Sequence, residues 1–137
     1  MTQLDLSKIV RKLNGFKFPK VDLVVGVETG GMVPAALVAY KLGKPLVFIG
    51  MNYRDEKNQP RYEQPLLLKP LCLPSGVKKV LVVDDVAVTG KTLQAAREML
   101  KPCKVVTFVL KGQADLVLFP AIKGCVDWPW KQLRRGL

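Results

Sequence analysis

The chain has no histidine, which removes the side chain best suited to proton transfer near neutral pH, and with it Ser-His-Asp and Cys-His catalysis. Most zinc sites are excluded as well, because the three cysteines, Cys72, Cys103 and Cys125, stand at no metal-ligand spacing. Their odd number points to reduced, mostly buried thiols instead of a disulfide framework. No apolar run reaches the roughly 18 residues of a membrane span. The opening MTQLDLSKIVRKL is amphipathic and charged where a signal peptide would be apolar. The expectation is a cytoplasmic protein without membrane association. Acidic residues are scarce too: 11 face 22 lysines and arginines, a net charge of +11. Such a field attracts polyanions, whether phosphorylated metabolites or nucleic acid. The basic residues are spread along the chain without an arginine-rich arm, so a dedicated nucleic-acid tail is not expected, although a basic face is compatible with the composition.

What is present describes a globular chain. Its 137 residues, 49% hydrophobic and 24% charged, suit one domain over 1–137. LSKIVRKLNG has apolar residues at helical spacing, with Ser7 near its start as a cap and Gly15 at its end. Residues 21–27, VDLVVGV, form a short valine-rich run of the kind buried on both faces. GGMVPAALVAYKLGKP predicts a glycine-led helix with Pro34 in its first turn and a stop at Gly43 and Pro45. PLVFIGM is a second strand, residues 52–65 a long polar loop, and LLLKPLCLP a proline-broken edge pair. KKVLVVDD is the strongest strand. A helix from Thr92, stopped by Pro102, separates it from two further strands, KVVTFVLKG and DLVLFPAI, before an irregular tail. Strand and helix in alternation predict an α/β fold, a parallel sheet with helices on both faces. Ligands of such sheets sit beyond the carboxyl ends of the strands. Two loops lie there, ETGG and DDVAVTGKT.

Residues 80–92, VLVVDDVAVTGKT, end like a nucleotide-binding P-loop, yet the position that must be glycine in such a loop is Asp85. A carboxylate there would repel a nucleotide's phosphates, so a Walker-type ATPase or GTPase is excluded. Asp84 and Asp85 fall at the end of the strand, residues 86–91 make a loop, and Thr92 opens a helix whose first N–H groups are unpaired and electropositive. Val86, Ala87, Val88, Thr89, Gly90, Lys91 and Thr92 then form a cradle for one phosphate monoester. The two carboxylates upstream are acceptors suited to a cis-diol. A 5-phosphorylated ribose offers both groups at the matching separation.

A hydrophobic strand, an acidic pair, a three-residue spacer and T-G-x-T resemble the phosphoribosyl diphosphate (PRPP) signature of type I phosphoribosyltransferases, over all of residues 80–92. VDLVVGVETGGMVPAALVAYKLGKP resembles that family's pyrophosphate-loop region, and CVDWPW the C-terminal segment of its xanthine-guanine members. The resemblance implies transfer of a phosphoribosyl group from PRPP to a nucleobase, a purine being favoured, with Mg²⁺ as cofactor and a homodimer as the assembly. It implies that Glu28, Thr29, Gly30 and Gly31 bind pyrophosphate, with a non-proline cis peptide at Glu28–Thr29 or Thr29–Gly30. It gives Asp84 and Asp85 the catalytic role and an indirect part in Mg²⁺ binding, through water and PRPP. Residues 52–65 become a flexible catalytic loop, with Tyr53, Arg54, Lys57, Arg61 and Tyr62 in reach of the diphosphate. Residues 111–137 become a base-side tail, in which Lys111, Val126, Asp127, Trp128 and Trp130 face the base under a small, reduced hood.

The chain also departs from the family pattern. Val88 stands where 6-oxopurine members have an aspartate, Cys125 where a stacking aromatic is usual, and Thr29 where many purine members have a basic residue. These departures keep open an alternative, a non-catalytic PRPP- or nucleotide-binding regulator with a basic nucleic-acid-binding face.

Overall fold

The computed structural model describes residues 1–52, 66–67 and 73–131. In chain order the elements are β1 (Thr2–Gln3), α1 (Leu6–Gly15), β2 (Leu23–Glu28), α2 (Met32–Leu42), β3 (Leu46–Asn52), β4 (Leu66–Leu67), β5 (Lys79–Ala87), α3 (Lys91–Met99), β6 (Lys104–Gly112), β7 (Leu116–Val117) and β8 (Val126–Asp127). Six strands form one sheet in the order β4-β3-β2-β5-β6-β7, in which all neighbours are parallel except β3 and β4. The valine runs explain the centre. Leu23, Val24 and Val25 of β2 and Val80, Leu81, Val82 and Val83 of β5 are fully buried, as strands covered on both faces must be.

Alternation along the strands sorts these side chains onto two faces. Val24, Leu81, Val83, Phe108 and Leu110 pack with Ile9 and Leu13 of α1 and Ala35 and Val38 of α2. Leu23, Val25, Val80, Val82 and Val109 pack with Leu93 and Ala96 of α3. Each such valine, leucine, isoleucine or phenylalanine contributes roughly 1.5–3 kcal/mol by burial. The helices therefore cover both sides of the sheet, as the strand–helix alternation implies.

Local differences from the sequence-based expectation have physical causes. The cap of α1 is Asp5, whose carboxylate accepts from the Lys8 N–H at 2.8 Å and from the Ser7 hydroxyl at 2.9 Å. An ionised acceptor outcompetes Ser7 for the electropositive helix start. Val86 and Ala87, expected in a loop, continue β5, because the nine-residue β6 extends the ladder to Val86–Lys111 and Ala87–Gly112. DLVLFPAI shrinks to the two paired residues of β7. Leu118 and Phe119 still donate to the Val109 and Leu110 carbonyls at 3.0 and 2.9 Å before Pro120, which has no N–H to give. The tail is not wholly irregular, since β8 pairs in parallel with β1. Of the cysteines, Cys125 is exposed and Cys103 half-buried, both free, so the expectation of mostly buried thiols does not hold for Cys125; Cys72 lies outside the described residues.

Beyond β6, Asp115 ties a turn to α3. It accepts from the Thr107 N–H at 2.9 Å and from the Arg97 guanidinium at 2.8 Å. Partial burial pushes its carboxyl upward, but these donors outweigh that and leave it below the ordinary value. Among the described residues no helix is long and apolar enough to cross a membrane.

Candidate functional site

The neighbouring central strands β2 and β5 end side by side, and each hands over to a helix through a glycine turn. After β2 the Glu28–Thr29 peptide is cis, at one of the two bonds the resemblance implies. Gly31 donates to the Val27 carbonyl at 2.8 Å and Met32 to that of Thr29 at 3.1 Å, which folds the chain tightly into α2. A Cβ on Gly31 would sit 2.6 Å from the carbonyl oxygens of both Val27 and Val83 and 3.0 Å from the Asp84 Cα. A Cβ on Gly30 would sit 2.7 Å from the Asp85 Cγ. Gly31 is thus required by close approach of backbone to the end of β5, while Gly30 leaves room for the Asp85 carboxylate. The turn at residues 28–31 and the acidic pair form one site.

The pair itself is fixed by its own backbone. The Asp85 N–H donates to Asp84 Oδ1 at 2.8 Å, and the Val86 N–H donates to Asp85 Oδ1 at 2.7 Å. Asp85 is 9% exposed and Asp84 half-buried. Burial, then the neighbouring charge of Asp85, hold the Asp84 carboxyl well above the usual carboxylate range; the Asp85 N–H and Lys131 act weakly the other way.

The raised Asp84 has a consequence for stability. Between the ordinary carboxylate range, about 4, and its raised value, the folded state binds more protons than the unfolded chain, so stability falls as pH rises through that window. Asp84→Asn removes the cost while keeping an acceptor for the Asp85 N–H. The variant is expected to unfold at higher temperature than the parent at neutral pH, with the gap closing as pH falls towards 4. Thermal unfolding from pH 4 to 8 checks this; a variant less stable at neutral pH would contradict it.

After β5 comes the turn into α3. Gly90 adopts φ 78° as the helix N-cap, a left-handed conformation suited to glycine. The Thr89 hydroxyl accepts from the Lys91 N–H at 3.3 Å. The first i to i−4 bond runs from Gln94 to Gly90 at 2.9 Å, so helix geometry leaves the Thr92 and Leu93 N–H groups without intrahelical acceptors. Val88 and Thr89 are exposed on this loop, Val88 at 71%. The arrangement can accept an anion on the turn and hydroxyl donors on the carboxylates.

Among the described residues no group of three or more His, Cys, Asp and Glu side chains could cage a metal. A carboxylate pair does suit Mg²⁺, which keeps waters and takes ligand oxygens. Burial first, and then the Asp85 charge, disfavour ionised Asp84, and a cation at the pair would ease the second of these. Asp84 and Asp85 are thus the residues that would hold it, indirectly through water and ligand oxygens, and when bound it would supply neutralisation of negative charge on a phosphorylated ligand.

Base-side positions fare unevenly. Lys111, half-buried, lies opposite Val86 on β6, one strand from the pair. Val126 and Asp127 form β8, one edge of which is already paired to Thr2 and Gln3. Trp128, expected to face the base, is 1% exposed within the α1/α2 core cluster, and Trp130 stacks on it with ring centroids 5.4 Å apart and planes 3° apart. An indole this large stabilises more by filling the core than by lining an open pocket. Tyr53, Arg54, Lys57, Arg61 and Tyr62 lie outside the described residues. One residue has no signal in the sequence: Lys131, 46 positions after Asp85, places its Nζ 3.8 Å from Asp85 Oδ2.

An open parallel sheet with a glycine turn and an acidic pair at adjacent strand ends defines a class of α/β protein that presents anion and hydroxyl acceptors together. Residues 4–118 match the family model of the phosphoribosyl transferase domain, and the chain belongs to that family. It is 35% identical over 127 residues to an adenine phosphoribosyltransferase of Treponema denticola, covering 86% of this chain and 65% of the relative. A xanthine-guanine phosphoribosyltransferase of Idiomarina loihiensis is 30% identical over 134 residues, 92% of this chain and 82% of the relative. Orotate phosphoribosyltransferases match over 56–78% of this chain. The chain spans about half the length, 36–65%, of most of these curated relatives. A purine phosphoribosyltransferase structure from Pyrococcus horikoshii shares the fold with TM-score 0.75 at 24% identity, covering 95% of this chain and 93% of that one.

Proposed function

We propose that the chain transfers the 5-phosphoribosyl group of PRPP to a nucleobase, with release of pyrophosphate and with Mg²⁺ as cofactor, as a step of nucleotide salvage. One observation carries this: the 28–31 turn packs directly on the Asp84–Asp85 pair, so a leaving-group loop and a ribose-diol site share one sheet end. Asp84 and Asp85 accept the ribose hydroxyls, the 5-phosphate rests on the turn at residues 86–92, and Glu28, Thr29, Gly30 and Gly31 hold the diphosphate. A nucleobase ring nitrogen bonds to the ribose C1 as the C1–O bond breaks; the electron pair of the C1–O bond leaves with pyrophosphate, and the ring nitrogen's proton passes to solvent. The protein contributes position and charge, with no covalent intermediate.

Purines are the favoured bases. The purine relatives match over 86% and 92% of this chain, more than the orotate relatives do. We assign Lys111, the backbone of Val126 and Asp127, and Trp130 to the base side; the side chains of Asp127 and Trp128 are both buried and do not face a base. Val88 can neither give nor take a proton, so the base reacts without that assistance.

The test is pyrophosphate release from PRPP and Mg²⁺ over adenine, guanine, hypoxanthine, xanthine and orotate. Base-dependent release, greatest with a purine, is the expected result. No release with any base, together with salt-sensitive binding of nucleic acid by this +11 chain, would favour a non-catalytic regulator instead.

A further inference from the structure

We propose that Lys131 binds the diphosphate of the substrate, a cation delivered to the site by the far end of the chain; the inference rests on the function proposed above. The site brings two carboxylates, one buried and one half-buried, against a glycine turn that contributes no side chain of its own at residues 30 and 31. A diphosphate seated on that turn would lie beside like charge, which costs affinity unless a cation stands close. Lys131 is the cation that the described structure sets on the pair. Its Nζ is 3.8 Å from Asp85 Oδ2, the same oxygen that crowds the Cβ position of Gly30. The ammonium group therefore stands where the acidic pair and the turn meet, and not at a remote rim.

Its placement is built into the fold. Trp128 is locked in the core, Trp130 stacks parallel on it, and the Lys131 N–H donates to the Trp128 carbonyl at 3.0 Å. The two indoles thus fix the backbone that carries the lysine, which gives a buried tryptophan a role in the site without any contact to a base. The Lys131 side chain is itself 53% exposed, so four methylenes are free to swing the ammonium from Asp85 to an incoming phosphate oxygen. A charge-assisted contact to a phosphate is stronger than an ion pair at 3.8 Å.

Calorimetric titration of the full chain with pyrophosphate and, separately, with ribose 5-phosphate, both in Mg²⁺, tests this. Lys131→Met is expected to weaken pyrophosphate binding by about ten- to a hundredfold, the loss of one charged hydrogen bond. Ribose 5-phosphate affinity should stay within about threefold, and Lys131→Arg should recover most of the pyrophosphate affinity. Unchanged pyrophosphate affinity in Lys131→Met would overturn the inference, as would an equal loss for both ligands, which would mark a purely structural tail. A parent chain that takes up neither ligand would overturn the proposed function first, and this inference with it.

Discussion

Asp85→Asn is expected to weaken PRPP binding by about a hundredfold or more. Asparagine has the shape of aspartate and keeps an oxygen for the Val86 N–H, which Asp85 Oδ1 accepts at 2.7 Å, so the local turn survives. What changes is the face turned to the ligand. In the proposed function the carboxylate accepts ribose O–H groups; the variant replaces it with an amide, half of it a donor that would meet donors. Hydrogen bonds to a charged group are worth about 1.5–3 kcal/mol each, so losing even one costs roughly tenfold to a hundredfold, and an unsatisfied buried donor adds to that. Lys131 also loses its carboxylate partner at 3.8 Å. Titration calorimetry with PRPP and Mg²⁺ reads the effect. Parental affinity in Asp85→Asn would mean that the carboxylate does not meet the sugar.

Gly31→Ala is expected to destabilise the fold by about 2–3 kcal/mol, whether or not ligand is present. The added methyl group would lie 2.6 Å from the carbonyl oxygens of Val27 and Val83, both backbone atoms of the two central strands. Neither can withdraw without disturbing the parallel β2–β5 ladder, which runs from Leu23–Val80 to Gly26–Val83. Gly15→Ala is the matched control. It stands at the end of α1 with nothing within 4 Å of its Cβ position, so its effect should stay within about 1 kcal/mol. Urea unfolding of the two variants compares them directly. Equal midpoints would mean that the turn can retreat from β5, and that the glycines are there for a ligand alone.

Much of the fold was legible because local chemistry and tertiary structure agree. The valine runs of β2 and β5 announced buried parallel strands, and Gly43, at φ 64°, closes α2 where the glycine–proline stop predicted. The acidic pair stood out because aspartate at position 85 contradicts the phosphate loop that the following GKT suggests. Legibility failed where an outcome depended on partners distant in sequence. Val86 and Ala87 look like loop residues until Lys111 and Gly112 extend the ladder beside them. Trp128 looks like an aromatic at a binding edge until α1, α2 and Trp130 close around it. Lys131 is one lysine among many, distinguished only by the tail that carries it to Asp85. The resemblance assigns Gly30 and Gly31 to pyrophosphate; the structure adds that they must also yield space to Asp84 and Asp85.

The central claim concerns where a phosphorylated sugar lies, and a crystal structure of the chain with ribose 5-phosphate bound tests it most directly. The account predicts the 2- and 3-hydroxyls within hydrogen-bonding distance of Asp84 and Asp85 and the phosphate on the backbone N–H groups between Val88 and Thr92. Density for the sugar elsewhere on the molecule, or the phosphate seated on the turn at residues 28–31 with its hydroxyls away from both carboxylates, would contradict it.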